Sequence, residues 1–108
     1  MNQRGDLRVI VSDLLPELTD LLKELMSIPS IAFPDYPVEN VQRAHDRVAD
    51  ELRKSGVDDI RVLKLPDTAP VVYGRIPAPP GAPTVLLYGH YDVQPPEFFT
   101  LFAAGVRR

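Results

Sequence analysis

Thr84-Val85-Leu86-Leu87-Tyr88-Gly89-His90-Tyr91-Asp92 is the stretch on which the fold reading turns. From Val85 to Tyr88 every position is apolar, so both faces of an extended chain would need cover. That pattern predicts a central strand buried on both sides, as in parallel sheets. The run ends in Gly89-His90-Tyr91-Asp92, and in open α/β sheets ligands collect at the carboxyl ends of strands. His90 and Asp92 are two apart, which in extended backbone sends both side chains to one face. A histidine that binds metal usually has its second ring nitrogen held by a carboxylate, a backbone carbonyl or water. The spacing therefore offers His90 as a ligand and Asp92 as its orienter or co-ligand. A satisfied structural pair, or Asp92 capping the following turn, fits the same spacing.

Upstream, apolar residues from Leu7 to Leu25 recur at three-and-four spacing (Leu7, Ile10, Val11, Leu14, Leu15, Leu18). This is the stripe of an amphipathic helix, expected to lie against its own domain. Pro16 implies either a kink or a helix that starts near Ser12 with the proline in its first turn. Ser27 to Pro37 carries Pro29, Pro34 and Pro37 and reads as a loop. A second helix is expected from Val38 to Ser55, with Val41, Ala44, Val48 and Leu52 on one face. Glu39 suits its positive end and Arg53-Lys54 its negative end, and Gly56 supplies a left-handed stop. His45 falls beside this stripe and reads as a boundary residue with no partner placed for it, not a ligand. Ile60–Leu65 alternates as a half-buried strand would, and Val71–Ile76 is a second short strand. Pro77 to Pro83 forms a stiff connector. Its PxxP spacing would suit an aromatic-lined groove, but a turn between two strands is the simpler reading. Ser12 and Ser30 lack a G-x-S-x-G setting, so no serine nucleophile is indicated.

Bulk composition removes several function classes. A chain of 108 residues supports at most one modest domain. Its formal net charge is −3 and its basic runs are pairs only, which argues against a nucleic-acid surface. There is no cysteine, so disulfide scaffolds, thiolate zinc sites and cysteine nucleophiles drop out. Apolar runs such as Val85–Tyr88 fall far short of the ~20 residues that span a bilayer. Met1–Arg8 is polar and does not lead into a signal-peptide core, so a soluble cytoplasmic protein without membrane partners is expected. Twelve prolines are about twice the ordinary share of ~5%. Three of the four phenylalanines (Phe98, Phe99, Phe102) fall in the last eleven residues.

Thr84 to Pro96, TVLLYGHYDVQPP, closely resembles the metal-binding strand of the co-catalytic zinc exopeptidases. That family includes carnosinase-like dipeptidases, acetylornithine deacetylases and succinyl-diaminopimelate desuccinylases, and YGHYDVQPP is most similar to the dipeptidase branch. Ile28-Pro29-Ser30-Ile31 resembles the family's IPS turn after the first helix. The resemblance spans about residues 7 to 96. It implies an α/β fold: the N-terminal fragment of a zinc-peptidase catalytic domain, with two helices, a strand pair and a central buried strand, and incomplete. Residues 1–96 would be that partial domain and 97–108 a divergent tail. By the same resemblance His90 would be a zinc ligand and Asp92 the catalytic carboxylate that orients and polarises its imidazole. The family holds two zinc ions, bridged by a later aspartate and a water, with a glutamate of a later Glu-Glu pair as general base. The two cations lower the water's pKa and stabilise the oxyanion that forms on a peptide or amide carbonyl. The implied substrates are dipeptides or N-acyl amino acids.

After Pro96 the likeness stops. The family continues with an acidic stretch, a tryptophan, a proline-rich turn and a Gly-Arg-Gly…Asp-Asp-Lys-Gly segment. This chain reads Glu97-Phe98-Phe99-Thr100-Leu101-Phe102 and ends at Arg108. Neither the bridging aspartate nor the Glu-Glu base has a matching position, and Glu97 is given no role. Two expectations follow. One is the N-terminal portion of a zinc dipeptidase-like hydrolase, cut short and inactive as it stands. The other is a non-catalytic α/β module whose Phe98, Phe99, Leu101 and Phe102 form a hydrophobic partner-binding tail.

Overall fold

The computed structural model describes residues 3–95 of the chain. The tail reading and the division at residue 96 lie outside them. The order of elements is α1 (Gln3–Ser27), α2 (Val38–Lys54), β1 (Asp59–Leu63) and β2 (Val71–Arg75). This is a small α/β unit of two helices and one two-stranded antiparallel sheet. No helix among the described residues is long and apolar enough to cross a membrane.

The second helix closes as its sequence dictates. Gly56 takes a φ of +94°, and the Gly56 N–H donates to the Arg53 carbonyl while the Val57 N–H donates to that of Leu52. These two bonds are a Schellman closure, satisfying carbonyls that the end of a helix leaves open. Val57 is buried by this turn. Its side chain and that of Leu52 then lie over β2 at Gly74, where an added Cβ would sit 3.1 Å from Val57 Cγ1 and 3.6 Å from Leu52 Cδ1. A glycine here permits the close approach of helix end and strand.

β1 and β2 pair in the register Asp59↔Arg75 to Leu63↔Val71. The return between them includes Asp67 at φ +62°, a left-handed position that aspartate tolerates better than most residues. The connector after β2 is a hydrogen-bonded turn, Ala82 N–H to Pro79 carbonyl, with Gly81 at φ +81°. Pro80 second and a positive-φ glycine third is the type II pattern. The core is narrow: Ile28, Ile31, Val41, Ala44, Ala49 and Val57. It lies between the segment that follows α1, the inner face of α2 and the turn out of α2.

Three expectations are corrected. The helix does not begin near Ser12: α1 runs continuously from Gln3 through Pro16 to Ser27. Proline removes one helical hydrogen bond, to the Ser12 carbonyl, and the long flanking turns on either side carry the helix past it. Nor is the apolar stripe of α1 buried, since Leu7, Ile10, Leu14, Leu18 and Leu22 are all exposed. No described element covers this stripe, and the ion pair of Glu24 with Arg47 at 2.9 Å links α1 to α2 only near its end.

The largest correction concerns Thr84–Tyr88, which is not a strand. Leu86 and Leu87 are each 88% exposed and Tyr88 91%. A strand needs a neighbour to accept and supply its backbone hydrogen bonds, and the sheet among the described residues stops at β2. Apolarity on both faces describes the environment such a segment is built for; it does not provide that environment.

Candidate metal-site segment

Beyond Tyr88 the chain returns to the body of the molecule, and alternation of side chains organises it. The His90 and Asp92 side chains meet each other, while that of Tyr91 between them packs inward on α2. His90 Nδ1 lies 3.1 Å from Asp92 Oδ1 and 3.2 Å from the Asp92 carbonyl oxygen. Both neighbours accept, so in the neutral ring Nδ1 carries the proton and Nε2 keeps its lone pair. The His90 side chain is 68% exposed and that of Asp92 31%. This is the arrangement expected of a metal-ligating imidazole oriented by a carboxylate. The sequence-predicted pair is thus brought together, at the carboxyl end of an unpaired segment rather than of a strand.

Tyr91 anchors the pair from behind. Its phenol donates to the Pro70 carbonyl, in the return between β1 and β2. Its carbonyl accepts from the Ser30 hydroxyl at 3.4 Å, and the Val93 N–H donates to the Ser30 carbonyl at 3.1 Å. Burial raises the Tyr91 phenol above its ordinary pKa, helped by the negative charges of Asp92 and Asp46. Ser30 is fully buried, held in a tight turn in which its own N–H reaches the Ile28 carbonyl at 2.7 Å. So Ser30, set aside as a nucleophile, is a structural tie between the segment after α1 and the His90 segment.

His45 is also more than a boundary residue. It is 2% exposed on the inner face of α2, its ring 6.2 Å from that of Tyr91 at an interplanar angle of 74°. Nδ1 lies 3.0 Å from Asp46 Oδ1, while Nε2 has no hydrogen-bond partner. The His45 contact, followed by one from Gln42, holds the Asp46 carboxyl below the usual aspartate range. The signal was present in the spacing: Val41, His45, Val48 and Leu52 lie on one helical stripe. What the spacing lacked was the partner, which comes from 46 residues downstream and needs the tertiary fold.

The donors present fit one ligand position. They do not complete a metal centre, because among the described residues no three His, Cys, Asp or Glu side chains converge. Catalytic zinc sites take about three protein ligands. A cleft of about 720 Å³ lined by Ile31, Phe33, Tyr36, Val41, Asp46 and Pro70 does not include His90 or Asp92.

Comparison with known proteins adds the decisive observation. Over 99 residues, 79% of this chain, it is 32% identical to the Cys-Gly metallodipeptidase DUG1 of Candida albicans. Over 98 residues, 81% of the chain, it is 29% identical to the Cys-Gly metallodipeptidase DUG1 of Saccharomyces cerevisiae. The chain is related to the metallodipeptidases. It spans about one-fifth of the length of these curated relatives. No protein-family model and no solved structure matches it. Both relatives are named as metal-dependent dipeptidases, and a metal-dependent relative agrees with the chemistry of the His90–Asp92 pair.

Proposed function

We propose that this chain forms part of a zinc-dependent, dipeptidase-like metallohydrolase, with His90 as one zinc ligand through Nε2 and Asp92 as the carboxylate that orients it. The observation that carries the reading is the 3.1 Å contact between His90 Nδ1 and Asp92 Oδ1 in a chain related to metallodipeptidases. When bound, the metal would supply an activated water and stabilise the oxyanion of a hydrolysed peptide or amide bond. What the residues of this chain contribute is narrower. Asp92 holds the proton on Nδ1 and keeps Nε2 free to donate its lone pair, and the Ser30 and Tyr91 anchors hold the pair in place.

With one ligand and its orienter among the described residues, this chain alone binds zinc weakly and turns over no peptide in this reading; the other donors are supplied elsewhere. The candidate substrate is a dipeptide of the kind named for the relatives, Cys-Gly, or an N-acyl amino acid. Zinc titrated into the 15N-labelled chain, followed by its histidine ring signals, is the test, beside a Cys-Gly hydrolysis assay. Zinc should shift the His90 signals and leave those of His45 in place, with no hydrolysis above buffer. Zinc that leaves His90 untouched would overturn the ligand role. Sustained, chelator-sensitive hydrolysis by this chain alone would overturn the claim that the remaining donors lie elsewhere.

A further inference from the structure

Residues 84–92 have no strand ladder among the described residues to set their position, yet His90 and Asp92 adopt a definite hydrogen-bonded geometry. Something other than sheet pairing must place them. The residue between them is Tyr91, and alternation makes it the inward-facing member of the triplet. Whatever seats Tyr91 therefore sets where the side chains on either side of it go.

Three contacts do so. Two are polar and part-buried: the phenol on the Pro70 carbonyl, and the backbone carbonyl on the long bond from Ser30. The third is the edge-on packing against His45, which is buried on α2. That helix is the best-closed element of the molecule, by its Schellman turn and by the ion pairs of Arg47 with Glu24 and Glu51. The His45 ring is itself fixed by Nδ1 on Asp46. Its Nε2 is buried without a partner, a placement that disfavours the folded state. An imidazole held so rigidly against Tyr91 at that cost acts through its ring, not through its second nitrogen.

We propose that His45 is a positioning residue for the His90–Asp92 pair, acting through its ring contact with Tyr91. The inference rests on the reading of His90 and Asp92 as a metal-site pair, but it concerns their geometry before any metal arrives. The ring of His45 is a wall: it stops Tyr91 from turning inward, and so keeps His90 Nδ1 within reach of Asp92.

The tautomer of His90 reports this directly. At about pH 8, above the ordinary histidine range, the two ring nitrogens of His90 in the full chain should be well separated in 15N shift, with the proton on Nδ1. His45→Ala should bring the two shifts towards those of an unrestrained histidine. His45→Phe keeps the ring, removes the orphaned nitrogen, and should preserve the separation. A merely structural role would lower stability in both variants without changing the tautomer in either. If His45→Ala does not give a folded far-ultraviolet spectrum, Tyr91→Leu removes the same contact from the other side and is read identically. Unchanged His90 shifts in the variant that folds, or loss of the separation in His45→Phe, would overturn the proposal. Zinc is absent from these measurements. A wild-type chain whose His90 shows the Nδ1 tautomer but ignores zinc would sink the metal reading alone.

Discussion

The Val93 N–H donates to the Ser30 carbonyl at 3.1 Å, joining the turn after the first helix to the residues just past His90 and Asp92. With the Ser30 hydroxyl on the Tyr91 carbonyl, this buried serine contacts both sides of Asp92. It explains how a segment without a sheet neighbour returns to the core at one defined place.

Ser30→Ala removes the hydroxyl and leaves the Tyr91 carbonyl with one donor fewer. Because the bond is long, at 3.4 Å, the loss should be near the lower end of the ordinary range, about 1 kcal/mol. Ser30→Leu should cost more, about 1–3 kcal/mol, since the site is fully buried and has no room for extra methylenes. Urea unfolding of the two variants checks the order; a leucine variant as stable as wild type would contradict it.

At Gly74 the obstacle is a side chain, not the backbone. Gly74→Ala places a methyl 3.1 Å from Val57 Cγ1, so one of the two must give way, and we expect a loss of about 1 kcal/mol. Pairing it with Val57→Ala removes the obstacle. The double variant should then be less destabilised than the sum of the singles, a coupling of at least about 0.5 kcal/mol in a thermal or urea cycle.

Acid should act through Asp46. Its carboxyl is held below the ordinary aspartate value of 3.8 by His45, so the unfolded chain binds its proton more readily than the folded one. The stability this group contributes is present above that ordinary value and is lost as pH falls through the lower folded one. Asp46→Asn should flatten this part of the profile below about pH 4 while changing little near neutrality in slope. Chemical denaturation at a series of pH values reads it; identical acid slopes in the two proteins would refute the assignment.

Leu86 separates what the sequence pattern demands from what this molecule provides. In a central strand, Leu86→Lys would bury a charge and be severe. Here the side chain is 88% exposed, and the substitution should change unfolding free energy by no more than about 0.5 kcal/mol. A large loss would mean that Val85–Tyr88 is covered in solution, by a second copy or by another chain.

Much was legible from residues alone because its causes are local. The second helix, its Gly56 stop, the two short strands and the turn at Pro79–Ala82 each follow from backbone preferences acting over a few positions. That His90 and Asp92 share one face is of the same kind, since it needs only two-residue spacing in extended backbone. The sequence by itself therefore determined these local elements, the shared face of the pair and, through its motif, the metallodipeptidase relationship.

Only the tertiary structure decided which apolar surfaces are covered. Leu14, Leu18 and Leu86 read as core, yet burial depends on a neighbouring surface being present, and none of the described elements lies over them. It likewise decided that His45, beside one stripe of α2, would meet Tyr91, and that Ser30 would meet both Tyr91 and Val93. Those contacts join residues 46 to 63 positions apart, and no local periodicity encodes a partner at that distance. Local backbone energetics set what each segment can be; the positions of distant surfaces set what it touches.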